Sequence, residues 1–108
     1  MVRSIKTKEE FHKTLKDAGD KLVVVDFTAT WCGPCRRIGP VFVRLSELPE
    51  NKNVIFVKVD VDEAQEISAE CGIRSMPTFQ FYKNGKKVKE FSGADETMLT
   101  EQVEKLRN

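Results

Sequence analysis

Apolar positions along this chain recur with two periods, and each period marks an element type. Leu22 to Thr28 reads Leu-Val-Val-Val-Asp-Phe-Thr, apolar on both faces, as in a strand covered by helices on both sides. Val54 to Val61, Thr78 to Tyr82 and Val88 to Phe91 predict further strands, and Val2 to Ile5 a short first one. Asn84-Gly85 joins the last pair and is a two-residue hairpin signal. Helical spacing takes over in between. Thr7-Lys8-Glu9-Glu10 is a capping-box signature, Phe11, Leu15 and Ala18 form the stripe behind it, and Gly19 is the expected C-cap. Cys35, Ile38, Phe42 and Leu45 share one face of a helix starting near Cys32. Pro34 falls in its first turn, where a missing N–H is harmless. Pro40 falls inside it and is expected to remove one backbone bond and bend the axis. Leu48 to Asn53 reads as a polar turn. Asp62 followed by Gln65 predicts another N-cap, with Ala64, Ile67 and Cys71 on the helix face and Gly72 at its end. Asp95 is expected to cap a last helix with the stripe Leu99, Val103 and Leu106. The order βαβαβα followed by ββα implies an α/β domain, with right-handed parallel crossovers and a closing antiparallel hairpin.

Composition narrows the class. A length of 108 residues suits a single domain, expected to span 1–108, with a core that needs neither staples nor a structural metal. Eighteen Lys and Arg against seventeen Asp and Glu leave a net charge of +1, so nothing draws the chain toward nucleic acid or a membrane surface. No stretch approaches the ~20 apolar residues of a membrane span. The segment Met1-Val2-Arg3-Ser4-Ile5-Lys6 lacks the apolar region of a secretory signal. A cytoplasmic protein is the expectation, although a processed chain would read the same. Three cysteines make an odd count, which fits a cycling pair in a reducing compartment better than a disulfide framework.

The chemistry gathers where the central strand meets the next helix. Trp31-Cys32-Gly33-Pro34-Cys35 places a thiol pair at a helix start, within a βαβ pattern, the arrangement of a redox dithiol. Free N–H groups at the helix mouth favour a thiolate at Cys32, and Arg36 and Arg37 add positive charge. Cys35, one turn further in, is the natural resolving thiol. Gly33 lets the turn form, and Pro34 stiffens it. The competing reading is half a zinc site, but only Cys71 and His12 remain as further ligands and a structural zinc wants four. Asp26 interrupts the apolar strand, on the face of Val24 and Thr28. It is either a satisfied structural carboxylate or a proton acceptor for Cys35 with a raised pKa, and Lys58 in the next strand is its candidate partner. Trp31 next to a nucleophile suits a docking surface, with Asp62 as the acceptor for its indole N–H. Met76-Pro77 either starts a strand or forms a cis bond in a tight turn. Cys71 is either a small core residue or a redox sensor, and its helical spacing favours the core. His12 and the lysines at 83, 86, 87 and 89 read as solvated surface.

These residues together resemble the thioredoxin family, and the resemblance covers essentially the whole chain. It rests on Trp31-Cys32-Gly33-Pro34-Cys35, on Asp26 upstream, on Met76-Pro77-Thr78 and on Phe91-Ser92-Gly93-Ala94. Val23 to Phe27 and Pro77 to Phe81 look like the animal cytosolic branch. The resemblance implies a five-stranded mixed sheet flanked by four helices, and reduction of protein disulfides. Cys32 would attack and Cys35 resolve, with Asp26 taking the proton. Pro77 would be cis and face the cysteines, and Gly93 would let substrate backbone approach. Trp31, Met76 and Ala94 would line the groove beside Gly33 and Pro34. It also implies an NADPH-dependent thioredoxin reductase as electron source, protein substrates such as peroxiredoxins, no bound cofactor or metal, and a monomer in the cytoplasm with nuclear or secreted pools in some cases. Arg36 stands where lysine is more usual in the family. Ser75 stands where many vertebrate members carry an exposed cysteine, which removes that route to disulfide-linked dimers. A secretory oxidant and a redox-gated binding module are the competing functions.

Overall fold

A computed structural model describes residues 1–108. Its elements run β1 (Val2–Ser4), α1 (Lys8–Ala18), β2 (Val23–Thr28), α2 (Gly33–Glu47), β3 (Ile55–Asp60), α3 (Gln65–Glu70), β4 (Thr78–Lys83), β5 (Lys86–Ser92) and α4 (Glu96–Leu106). The strands form one sheet in the order β1-β3-β2-β4-β5. β3 pairs in parallel with β1 and β2, whereas β4 is antiparallel to β2 and β5. The fold is thus the mixed five-stranded sheet with four helices that the resemblance implies, in the element order that the pattern predicts. β2 is central, and Val23 to Phe27 are all buried.

Alternation along β2 divides the core. Val23, Val25 and Phe27 join Phe11, Leu15 and Ala18 of α1 and Ile67 of α3 on one face. Val24 joins Ile38, Phe42 and Leu45 of α2 and Leu99 and Val103 of α4 on the other. Phe42 sits 5.3 Å, ring to ring, from Phe56 and 5.8 Å from Phe79, which seats α2 firmly on the sheet. Such aromatic pairs add about 0.5–1.5 kcal/mol each beyond area burial. No helix is long and apolar enough to cross a membrane.

The end signals mostly hold. Thr7 caps α1 by accepting from the Glu10 N–H, and Asp95 caps α4 by accepting from the Met98 N–H. Asn84 and Gly85 both take positive φ, at 53° and 74°, as a tight hairpin of the primed type requires. α2 continues through Pro40 as a single helix.

Two expectations need correction. Asp62 does not cap α3, whose N-cap is Ala64 with no side-chain bond. β3 ends at Asp60, and that carboxylate accepts from the N–H groups of Asp62 and Glu63 at 2.9 and 3.3 Å. An Asx-type turn has taken the place of the predicted cap. The polar turn after α2 is also not simply solvated. Pro49–Asn51 forms a 3-10 turn, and Asn51 is buried. Its side chain donates to the Leu45 carbonyl at 2.9 Å and accepts from Arg107 at 2.7 Å. The unpaired carbonyls at the end of α2 need such a donor, and the chain terminus supplies its partner.

Candidate active site

β2 stops at Thr28 and α2 starts at Gly33, so Ala29 to Cys32 form the turn between them. Cys32 is the N-cap of α2, and its Sγ accepts from the Cys35 N–H at 3.2 Å. A donor aimed at a sulfur stabilises negative charge there, and the helix end adds to it. Pro34 lies in the first turn as expected. Cys32 and Cys35 are joined as a disulfide across a Cα–Cα separation of 5.3 Å. Both are shielded, at 5 % and 3 % exposure, and they pack against Ala29, Val61 and Met76. In this oxidised state the two sulfurs differ little in burial. Their difference lies in position, one at the helix mouth and one on the helix's core face.

The surroundings of the dithiol come from three separate segments. Trp31 is 64 % exposed, and its indole N–H donates to Asp62 Oδ2 at 2.8 Å. Asp62 is therefore the acceptor suggested by sequence, held in place by the Asp60 turn. Arg36 donates to the Thr30 carbonyl at 2.9 Å, which ties the loop to the helix behind it. The Met76–Pro77 peptide is cis, and the Met76 carbonyl oxygen lies 3.7 Å from Cys32 Sγ. The Gly93 N–H donates to the Pro77 carbonyl at 2.9 Å. Gly93 has φ +104°, a backbone conformation that side-chain-bearing residues rarely adopt. Ala94 is half-buried against the α4 core. Met76 packs against the Cys32–Cys35 pair, Trp31, Gly33 and Pro34 belong to its own turn and helix start, and Gly93 is joined to Pro77, whereas Ala94 packs on the core of α2 and α4.

Asp26 lies on the Val24 face, under α2, at 4 % exposure. Its Oδ1 has no hydrogen-bond partner. Burial pushes its pKa up to about 7, against a weaker downward pull from Lys58. Lys58 does stand opposite it in the ladder. The expected partnership is looser than an ion pair, because no ion pair in the molecule joins the two. The Lys58 side chain is exposed and exerts its charge from a distance.

The remaining candidates sit elsewhere. Cys71 is half-buried at the edge of the α1 and α3 core. Its Sγ lies 3.9 Å from the Tyr82 hydroxyl, which donates to Gln80 Oε1 at 2.6 Å. Burial pushes the Cys71 thiol pKa up, which disfavours the reactive thiolate. His12 pairs with Glu70 at 2.8 Å on the surface, and no cluster of three or more His, Cys, Asp or Glu is arranged to hold a metal ion. Lys87 pairs with Glu90 on the exposed face of β5. Sequence reading missed the Asp60 turn, the Arg36 tie and the Thr78 to Ser92 hydroxyl contact at 2.8 Å. The Asp60 turn is local but was masked by the stronger-looking cap at Asp62, whereas the Arg36 tie and the Thr78–Ser92 contact form only once the chain is folded.

Comparison with known proteins gives a consistent result. The family model described as Thioredoxin matches residues 2–105. A thioredoxin of Ictalurus punctatus is 57 % identical over 103 residues, covering 95 % of this chain and 96 % of that one. A thioredoxin of Homo sapiens is 54 % identical over 106 residues, covering 98 % and 99 %. Among solved structures, Fasciola hepatica thioredoxin superposes with a TM-score of 0.93 at 43 % identity, covering 97 % of this chain and 99 % of that one.

Proposed function

This chain belongs to the thioredoxin family of thiol–disulfide oxidoreductases, and on that premise we propose that it is a protein-disulfide reductase working through Cys32, Cys35 and Asp26. The observation that carries the proposal is a Cys32–Cys35 disulfide at the mouth of α2, set against the Met76–Pro77 turn. In the reduced protein the Cys32 thiolate attacks a substrate disulfide. One substrate sulfur leaves as a thiolate, and a mixed disulfide joins Cys32 to the other. Cys35 then loses its proton to Asp26 and attacks Cys32 Sγ. The bond from Cys32 to substrate breaks, the Cys32–Cys35 bond forms, and the second substrate sulfur leaves with the electron pair. The substrate has gained two electrons, and the protein is left oxidised. Asp26 suits its part because a carboxyl that titrates near neutrality can both take and release a proton at working pH.

Trp31, Gly33, Pro34, Met76, Pro77, Gly93 and Ala94 form the docking groove in this reading. The exposed Trp31 ring offers apolar area, and the turn at Gly93 lets a peptide backbone approach. Electrons return from an NADPH-dependent thioredoxin reductase. Proteins with accessible disulfides, peroxiredoxins among them, are the substrates. The redox group is the cysteine pair itself, so no bound cofactor takes part. The protein acts as a monomeric single domain of residues 1–108 in the cytoplasm, an assignment that rests on family likeness and even charge.

Insulin reduction tests the proposal. The native protein turns over with dithiothreitol or with reductase and NADPH, and Cys32→Ser abolishes turnover. A native protein that binds disulfide substrates but never reduces them is a redox-gated binding module instead. Asp26→Asn retains the fold and slows reduction near neutral pH by roughly a hundred-fold, the lower end of the ~10²–10⁴ range of general-base catalysis.

A further inference from the structure

The groove residues account for one approach to the active site. A second opening reaches Asp26 from a different side. Asp26 lies in the wall of a cleft lined on the α2 side by Gly39, Phe42, Val43 and Glu47. Lys58 and Met1 stand at its mouth, and both are exposed. Gly39, Val43 and Glu47 follow at intervals of four, with Phe42 three residues after Gly39, so they share one helix face. At Gly39 an added Cβ would meet nothing within 4 Å, so this stretch of wall is open. The orphaned Asp26 Oδ1 is the second observation. A buried acceptor with no protein partner is costly unless water reaches it, and this cleft is the space beside it. None of the proposed groove residues lines it.

We propose that the cleft opened by Gly39 is a proton port for Asp26, separate from the groove, through which water exchanges protons with the carboxyl while a docked substrate covers the dithiol. The proposal rests on the reading of Asp26 as proton acceptor and extends it. In the mixed disulfide the substrate occupies the groove. The proton taken from Cys35 then sits on Asp26. Water in the cleft accepts it, and solvent delivers it to the departing substrate thiolate or to buffer. No electron moves in this step. The charged side chains lining the cleft are Asp26 from β2, Lys58 from β3 and Glu47 from α2. Gly39 is a positioning residue here, because it keeps the path clear and touches no reacting atom.

The test fills the port. Gly39→Leu adds bulk to the cleft wall at a helical site where leucine's propensity exceeds glycine's, and urea unfolding of the variant checks that a side chain is accepted ahead of Pro40. Rapid mixing of reduced protein with a chromogenic protein disulfide separates mixed-disulfide formation from its resolution. The expected result is an unchanged first step, and resolution slowed by roughly three- to ten-fold, less than the full loss of a general base. Gly39→Ala, which leaves most of the cleft open, should stay near native. Carboxyl NMR should show Asp26 titrating higher in Gly39→Leu, since further loss of water raises a carboxyl pKa. Combined with Asp26→Asn, Gly39→Leu should have no added effect. If Asp26→Asn slows resolution while Gly39→Leu leaves both rate and titration untouched, the port is wrong and Asp26 keeps its role. If Gly39→Leu slows resolution equally with Asn at 26, the effect is structural, and the port is again wrong. If Asp26→Asn changes nothing, the acceptor reading fails and the port falls with it.

Discussion

Asp26 is the residue at which stability and chemistry conflict. Its pKa stands at about 7 in the fold against 3.8 for the free side chain, with burial as the main cause. The folded protein therefore binds one proton more than the unfolded chain between those pH values. The stability linked to this group is fully present below pH 3.8 and falls as pH rises to about 7. A shift of about three units, at ~1.4 kcal/mol each, amounts to about 4 kcal/mol. Asp26→Asn should accordingly raise unfolding free energy at pH 8 by a few kcal/mol and leave it nearly unchanged at pH 3.5. Urea unfolding of the oxidised protein at the two pH values checks this. Trp31 and Asp62 pose the opposite case. Their 2.8 Å bond is exposed, so Asp62→Ala should change stability by less than about 1 kcal/mol, while raising KM for protein disulfides by freeing the ring. An unchanged KM in the insulin assay would show that the ring needs no tether. Asp26 stood out in the sequence because a carboxylate among valines is costly. Its lack of an ion-pair partner was not legible, because ladder register places Lys58 opposite without fixing where its long side chain ends.

At the level of elements, period and punctuation carried most of the information. The apolar run Val23 to Phe27, the Asn84-Gly85 hairpin and the caps at Thr7 and Asp95 all appear where local chemistry puts them. A cap of this kind is worth about 1 kcal/mol, so Asp95→Ala should lower stability by roughly that amount in thermal or urea unfolding. The failures fall where a competing partner, near or far in the chain, outweighs the expected signal. Asp60 serves the loop that Asp62 was expected to serve. Asn51 is drawn inside because Leu45 needs a donor and Arg107 arrives from the far end of the chain. Asn51→Ala strands both groups and should cost about 1–3 kcal/mol, a loss out of keeping with a solvated turn. The cleft beside Asp26 was equally hidden. Gly39, Glu47 and Lys58 are unremarkable one by one, and only the seating of α2 over β2 and β3 brings them together.

Over the whole molecule, one sheet separates two apolar layers and gathers distant turns at one end of its strands. The layers should behave independently. Ile67→Ala on the α3 side and Val103→Ala on the α4 side each open a cavity in a fully buried site, a change that costs about 2–5 kcal/mol for isoleucine and somewhat less for valine. Their losses should add to within about 0.5 kcal/mol, since the two residues belong to separate apolar clusters on opposite faces of the sheet. The same architecture assembles the reactive centre, because Cys32 sits at a helix mouth that exists only when α2 is docked. The most direct test is the pH dependence of Cys32 alkylation in the reduced protein, folded and in urea. The account predicts an unfolded midpoint near the ordinary ~8.5 of a free thiol and a folded midpoint below it. Coincident midpoints, or a folded value above the unfolded one, would contradict it.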